Sequence, residues 1–112
     1  MLPESLKLLT DMRNSATDVS AFVAGKTLED FLGDKQLRMA VERGFEIIGE
    51  ALSQLRRIDP DTTELITDWR AIIGFQNVLI HGYGKVSDPK TWDIAQTEIP
   101  LLLRELDALL KN

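Results

Sequence analysis

Asp68-Trp69-Arg70-Ala71-Ile72-Ile73-Gly74-Phe75-Gln76-Asn77-Val78-Leu79-Ile80-His81-Gly82-Tyr83-Gly84 is a run in which an apolar helical pattern meets two glycines. Trp69, Ile72, Ile73, Gln76, Leu79 and Ile80 recur at the spacing of one helix face, with Asp68 as a cap in front and Gly82 and Gly84 as the stop. Gln76 interrupts that apolar face, and His81 and Tyr83 crowd its end. His81 is the chain's one histidine, and an imidazole can serve as both acid and base near neutrality.

Working outward, Leu2, Leu6, Leu9, Met12, Ala16, Val19 and Val23 predict a first amphipathic helix ending near Gly25. Thr27 with Asp30 three residues on resembles a capping arrangement for a short helix that closes at Gly33. Asp34 then caps a long helix carrying Leu37, Val41, Gly44, Phe45, Ile48, Ala51, Leu52 and Leu55, which ends at about Arg57 before Asp59-Pro60-Asp61. Its small residues Gly44, Gly49 and Ala51 permit a neighbouring helix to approach closely.

Asp61-Thr62-Thr63-Glu64 predicts a further short turn, and Asp88-Pro89 opens a last helix bearing Trp92, Ala95, Ile99, Leu102, Leu103, Leu106, Leu109 and Leu110. Pro100 inside that helix predicts a kink near Gln96. No segment alternates with period two over a useful length. The expectation is an all-α bundle of four to five helices, long antiparallel ones plus short pieces, forming one domain over residues 1–112. Trp69 and Trp92 read as core anchors. The apolar stripes of the last two long helices exceed what their neighbours can cover, which predicts a homodimer.

Composition sets further bounds. The 112 residues are 44% hydrophobic and 28% charged, as in an ordinary globular protein. No apolar stretch approaches the roughly 18 residues of a membrane span, and the first residues lack a secretory leader, so a cytoplasmic protein is expected. With no cysteine and a single histidine, thiolate and histidine-pair metal sites are excluded, and no metal or cofactor is expected. Net charge is 13 − 18 = −5, which disfavours broad electrostatic binding of nucleic acid. Between Trp69 and Lys90, however, Arg70, Lys85 and Lys90 outweigh Asp88, so an anion site is expected in that segment.

Cleavage of RNA without metal needs a base for the 2′-hydroxyl, an acid for the leaving oxygen, and donors or positive charge around the phosphorane. His81, Tyr83 and the local cations supply part of that set. At ~100° per residue, Gln76 and His81 stand about 140° apart on an ideal helix, whereas Gln76 and Tyr83 nearly eclipse. Gln76 and His81 converge only if the helix unwinds near its end or a second subunit contributes one of them. Glu46 and Glu50, four apart, read first as a solvated charged face and otherwise as residues that orient His81 or face the groove, with Arg43 and Arg70 as ion-pair candidates.

The stretch from Trp69 to Tyr83, preceded by Ala40-Val41-Glu42-Arg43-Gly44-Phe45-Glu46-Ile47-Ile48-Gly49-Glu50-Ala51 and followed by Trp92 and Ile99-Pro100-Leu101, resembles the HepT-like branch of the HEPN superfamily. The resemblance implies an α-helical homodimer that is the toxin of a toxin–antitoxin pair, with a metal-independent endoribonuclease site for RNA, a tRNA or an mRNA, at the dimer groove. The family motif is arginine, four residues, histidine, one residue, tyrosine. Its histidine falls on His81, its tyrosine on Tyr83, and its arginine on Gln76. Asn77 lies inside the motif, and Arg43, Lys85 and Glu46 are candidate supporting residues. The resemblance further implies a nucleotidyltransferase antitoxin of the MntA type as partner, with Tyr83 as the residue it modifies with AMP. The alternative is an inactive helical dimer that survives as that partner's binding and modification substrate.

Overall fold

The computed structural model describes residues 1–82 and 87–111. Six helices follow one another among them: α1 (Pro3–Val23), α2 (Leu28–Gly33), α3 (Lys35–Ile58), α4 (Pro60–Thr63), α5 (Trp69–His81) and α6 (Asp88–Leu110). The all-α expectation holds, with four long helices and two short ones. None of them is long and apolar enough to cross a membrane.

The ends of the helices follow local chemistry. Gly25 takes φ 72° just beyond α1, a left-handed conformation that suits glycine. Thr27 and Asp30 form the reciprocal capping box at α2, Thr27 Oγ1 accepting from Asp30 N and Asp30 accepting from Thr27 N. Asp34 caps α3 by accepting from Leu37 N at 3.0 Å. Asp59 has a wider role. Its carboxylate accepts from Ser5 Oγ and Thr62 Oγ1, each at 2.7 Å, and from Thr62 N at 3.2 Å, so one side chain starts α4 and fastens it to α1. The hydroxyls of Ser5 and Thr62 hold that carboxyl below its ordinary range.

Two sequence expectations need correction. Asp68 precedes α5 as foreseen, but its side chain makes no capping hydrogen bond, because it turns to Glu98 of α6 instead. Ser87 rather than Asp88 holds the N-cap position of the last helix, without a side-chain capping bond; Asp88 is already helical, and its carboxylate meets Arg38 Nε of α3 at 3.6 Å. Helix α6 continues through Pro100, from Asp88 to Leu110. Pro100 and Gln96 are both exposed, so the Gln96 carbonyl that loses its helical donor faces water.

The core lies where α3 and α6 pack against α1. Leu9, Met12 and Val19 of α1, Val41, Phe45, Ile48 and Leu52 of α3, and Ile99, Leu102 and Leu106 of α6 are all buried. Phe31 of α2 seals one end against Trp92, their rings 5.3 Å apart. Phe75 of α5 meets Phe45 edge to face at 5.2 Å. Trp69, the other expected anchor, is buried beside the guanidinium of Arg70, 4.3 Å from its ring, and that of Arg56 at 5.3 Å. Burial of these side chains stabilises the bundle by roughly 1.5–3 kcal/mol each.

Close approach of α1 to α3 depends on Gly44, since a Cβ there would overlap Cγ2 of the fully buried Val19. In an open helix Gly→Ala stabilises by about 1 kcal/mol. At position 44 the sign reverses, because a β-branched neighbour on a helix has little rotamer freedom to move aside. Gly44→Ala is expected to cost about 1–3 kcal/mol in urea denaturation. Adding Val19→Ala should recover part of that loss, a coupling that a double-mutant cycle reads directly.

Candidate active-site groove

Helix α5 rests on α3 at Gly49. A Cβ at Gly49 would overlap Cβ and Cγ of Gln76 and lie 3.1 Å from its Cδ, so the stem of Gln76 lies against bare backbone. Gln76 is therefore only 4% exposed, although the residue is polar and the next, Asn77, is exposed. Among the described residues no side-chain hydrogen bond uses its amide. Gln76 is among the residues that line a groove of about 730 Å³ between α1, α3 and α5.

That groove also collects Arg43 and Glu46, two of the supporting residues expected from sequence, together with Glu50. Arg43 Nη1 lies 3.6 Å from Glu46, as the ion-pair reading anticipated, whereas Arg70 pairs with Glu64 at 3.7 Å and takes no part. The facing wall was not foreseen. Glu4, Lys7, Asp11 and Asn14 of α1 line it, and in sequence they are indistinguishable from a solvated helix face. Lys7 Nζ bonds Asp11 at 2.9 Å, so the groove holds four carboxylates, Glu4, Asp11, Glu46 and Glu50, against two cations. This lining is net negative. The anion site expected in the segment from Trp69 to Lys90 does not extend into it.

His81 is placed differently. It is the last residue of α5 and is exposed, while Gln76 is buried on the α3 side. The helix stays regular through His81, and Gly82 ends it in a right-handed conformation with φ −82°, donating its backbone N–H to Val78 O at 2.7 Å. The unwinding that would bring Gln76 and His81 together within one protomer does not occur. Tyr83 and Lys85 lie outside the described residues. A second groove, about 500 Å³, runs between α5 and α6 along Ala71, Gly74, Phe75 and Val78, facing Lys90 and Ile94.

The opposite end of α5 is held by acids. Glu105 of α6 accepts from Thr67 N at 3.0 Å and from Thr67 Oγ1 at 2.6 Å, gripping the chain just before the helix. One step on, partial burial pushes the Glu98 carboxyl up to about 7, helped by its hydrogen bond to Asp68 and by the charges of Asp68 and Glu105. A carboxyl raised in the fold stabilises its protonated form, so this contribution is present at low pH and is lost as pH rises through about 7. The urea midpoint should fall between pH 5 and pH 8, and Glu98→Gln, whose amide mimics the protonated acid, should flatten that fall. An unchanged slope in the variant would locate the titration elsewhere.

Comparison with known proteins agrees with this architecture. A family model described as "Ribonuclease HepT-like" matches residues 12–109. A Methanocaldococcus jannaschii protein named "Putative RNase MJ1380" is 34% identical over 101 residues, covering 88% of this chain and 90% of its own length. "Probable ribonuclease HepT" of Thermococcus cleftensis is 31% identical over 107 residues, covering 92% and 93%. No solved structure matches the chain at a significant level. The family match runs from Met12 in α1 to Leu109 in α6 and so takes in both close-packed glycines of α3 and the whole of α5; the chain belongs to the HepT-like ribonuclease family.

Proposed function

We propose that this HepT-like ribonuclease is the toxin of a toxin–antitoxin pair, an endoribonuclease that cleaves RNA without a metal through His81, at a rate lowered by Gln76. The observation that carries this reading is the exposed imidazole at the end of α5, inside a chain whose family and relatives are described as ribonucleases. The imidazole takes the proton of the 2′-hydroxyl as its oxygen attacks the adjacent phosphorus, and an imidazolium returns a proton to the departing 5′-oxygen. In a homodimer the two histidines can divide those tasks. The exposed Val78 and the apolar groove beside it support such a dimer.

Gln76 donates hydrogen bonds but carries no charge, and the net-negative groove around it supplies no substitute. A catalytic arginine is worth roughly 10³–10⁵ in rate in other phosphoryl-transfer enzymes. The same observation favours a second reading, a catalytically silent dimer kept as the binding partner of a nucleotidyltransferase antitoxin that places AMP on Tyr83. Added phosphate charge near His81 would repel an RNA backbone.

A gel assay on tRNA and mRNA in the presence of a chelator separates the two. Slow cleavage is expected from the wild type, none from His81→Ala, and faster cleavage by about two orders of magnitude or more from Gln76→Arg. Cleavage undiminished in His81→Ala, or absent in Gln76→Arg, would remove the catalytic reading. Intact-mass measurement after co-expression with a nucleotidyltransferase encoded beside this protein tests the second reading. The expected result is AMP addition that disappears in Tyr83→Phe, and an unchanged mass rejects it.

A further inference from the structure

We propose that the exposed stripe Arg70, Gly74, Asn77 and His81 of α5 is a track for a single strand of nucleic acid, anchored at its far end by a phosphate clamp of Arg56 and Arg70 on Trp69. At ~100° per residue the four positions of the stripe stand within about 60° of one another, and all four are exposed. Gly74 leaves open space in the middle, where a Cβ would meet nothing within 4 Å. The stripe runs from a guanidinium to the imidazole, positions about 16 Å apart along the helix axis. That distance is roughly five phosphates of a helical strand.

Charge separates the two sides of α5. The groove toward α1 and α3 carries four carboxylates against two cations, whereas neither the stripe nor the groove beside it toward α6 is lined by a carboxylate. Lys90, exposed, stands in that second groove. A polyanion is repelled by the first side and admitted by the second. At the head of the stripe the guanidinium of Arg70 lies over Trp69 at 4.3 Å from its ring centre, and that of Arg56 at 5.3 Å. The buried indole engages their charge rather than their N–H donors, and it restricts two side chains that would otherwise lose rotamer freedom on binding. Arg56 enters no ion pair among the described residues, and Arg70 meets Glu64 only at 3.7 Å, beyond hydrogen-bond reach. Planar guanidinia with free donors match the oxygens of a phosphate. A carboxylate on a protein partner offers similar oxygens, but the alignment of the clamp with His81 on one helix face favours the strand.

The identity of the strand rests on the ribonuclease reading, to which the clamp adds a contact remote from the chemistry. Its test uses a 2′-O-methyl RNA of about twelve nucleotides, long enough to span the track and without a free 2′-hydroxyl to attack. In fluorescence anisotropy on the whole protein, Arg56→Gln and Arg70→Gln should each weaken binding several-fold at low salt, and each should reduce the salt slope by about 0.7. The double variant should lose about tenfold or more. Arg70→Lys keeps the charge without the planar fork and should recover only part of the loss. Arg13→Gln removes the same charge about half a turn round α1 from Asp11 and Ser15 of the other groove, and should leave binding unchanged. Melting temperatures verify that each variant is folded. Absence of binding by the wild type, an equal loss in Arg13→Gln, or full recovery by lysine would overturn the proposal. So would unaltered affinity in the double variant, which would leave the two arginines to a carboxylate-bearing protein. RNA cleavage is scored separately: binding that depends on the clamp without cleavage keeps the track and removes the chemistry, and cleavage with binding indifferent to the clamp does the reverse.

Discussion

Helix α3 can be central to this molecule because it lacks side chains at two points. At Gly44 it admits Val19 of α1, and at Gly49 it admits the stem of Gln76 of α5. Each contact places another helix closer than any residue with a Cβ would allow, and the apolar side chains around them then pack at interior density. The core formed by α1, α3 and α6 follows from the first socket, and the groove that bears Gln76 follows from the second.

Much of this was legible in the chain. The three-and-four spacing of Leu, Ile and Val located all four long helices, and the small residues of α3 were recognisable as places of close approach. Thr27, Asp30 and Asp34 announced their helix starts because their partners are three residues away. Asp68 misled because its partner, Glu98, is remote in sequence, and a cap motif says nothing about a competing acid on another helix. Asp88 lies one residue inside the helix it was expected to cap, and its carboxylate faces Arg38 of α3, a partner remote in sequence.

The site was legible only in part. Its histidine and glutamine stood out as polar residues in an apolar pattern, and Arg43 and Glu46 did turn out to face the same groove as Gln76. The wall supplied by α1 was hidden, since Lys7 and Asp11 form an ordinary pair four residues apart. Nor could spacing decide whether the helix would unwind before His81. The regular end of α5 leaves Gln76 inside and His81 outside, so a site that uses both in chemistry must draw on more than one protomer or on segments beyond α5.

The Gly49 socket separates two properties of position 76. What packs there is a pair of methylene carbons, Cβ and Cγ, and these are common to glutamine, glutamate, methionine, lysine and arginine. A straight-chain residue at 76 keeps those two carbons against the bare backbone of Gly49. Head groups can thus be exchanged across evolutionary time between cation, amide and thioether while the helices keep their places. Such a scaffold can gain, lose or redirect its chemistry at one codon without first having to relearn how to fold.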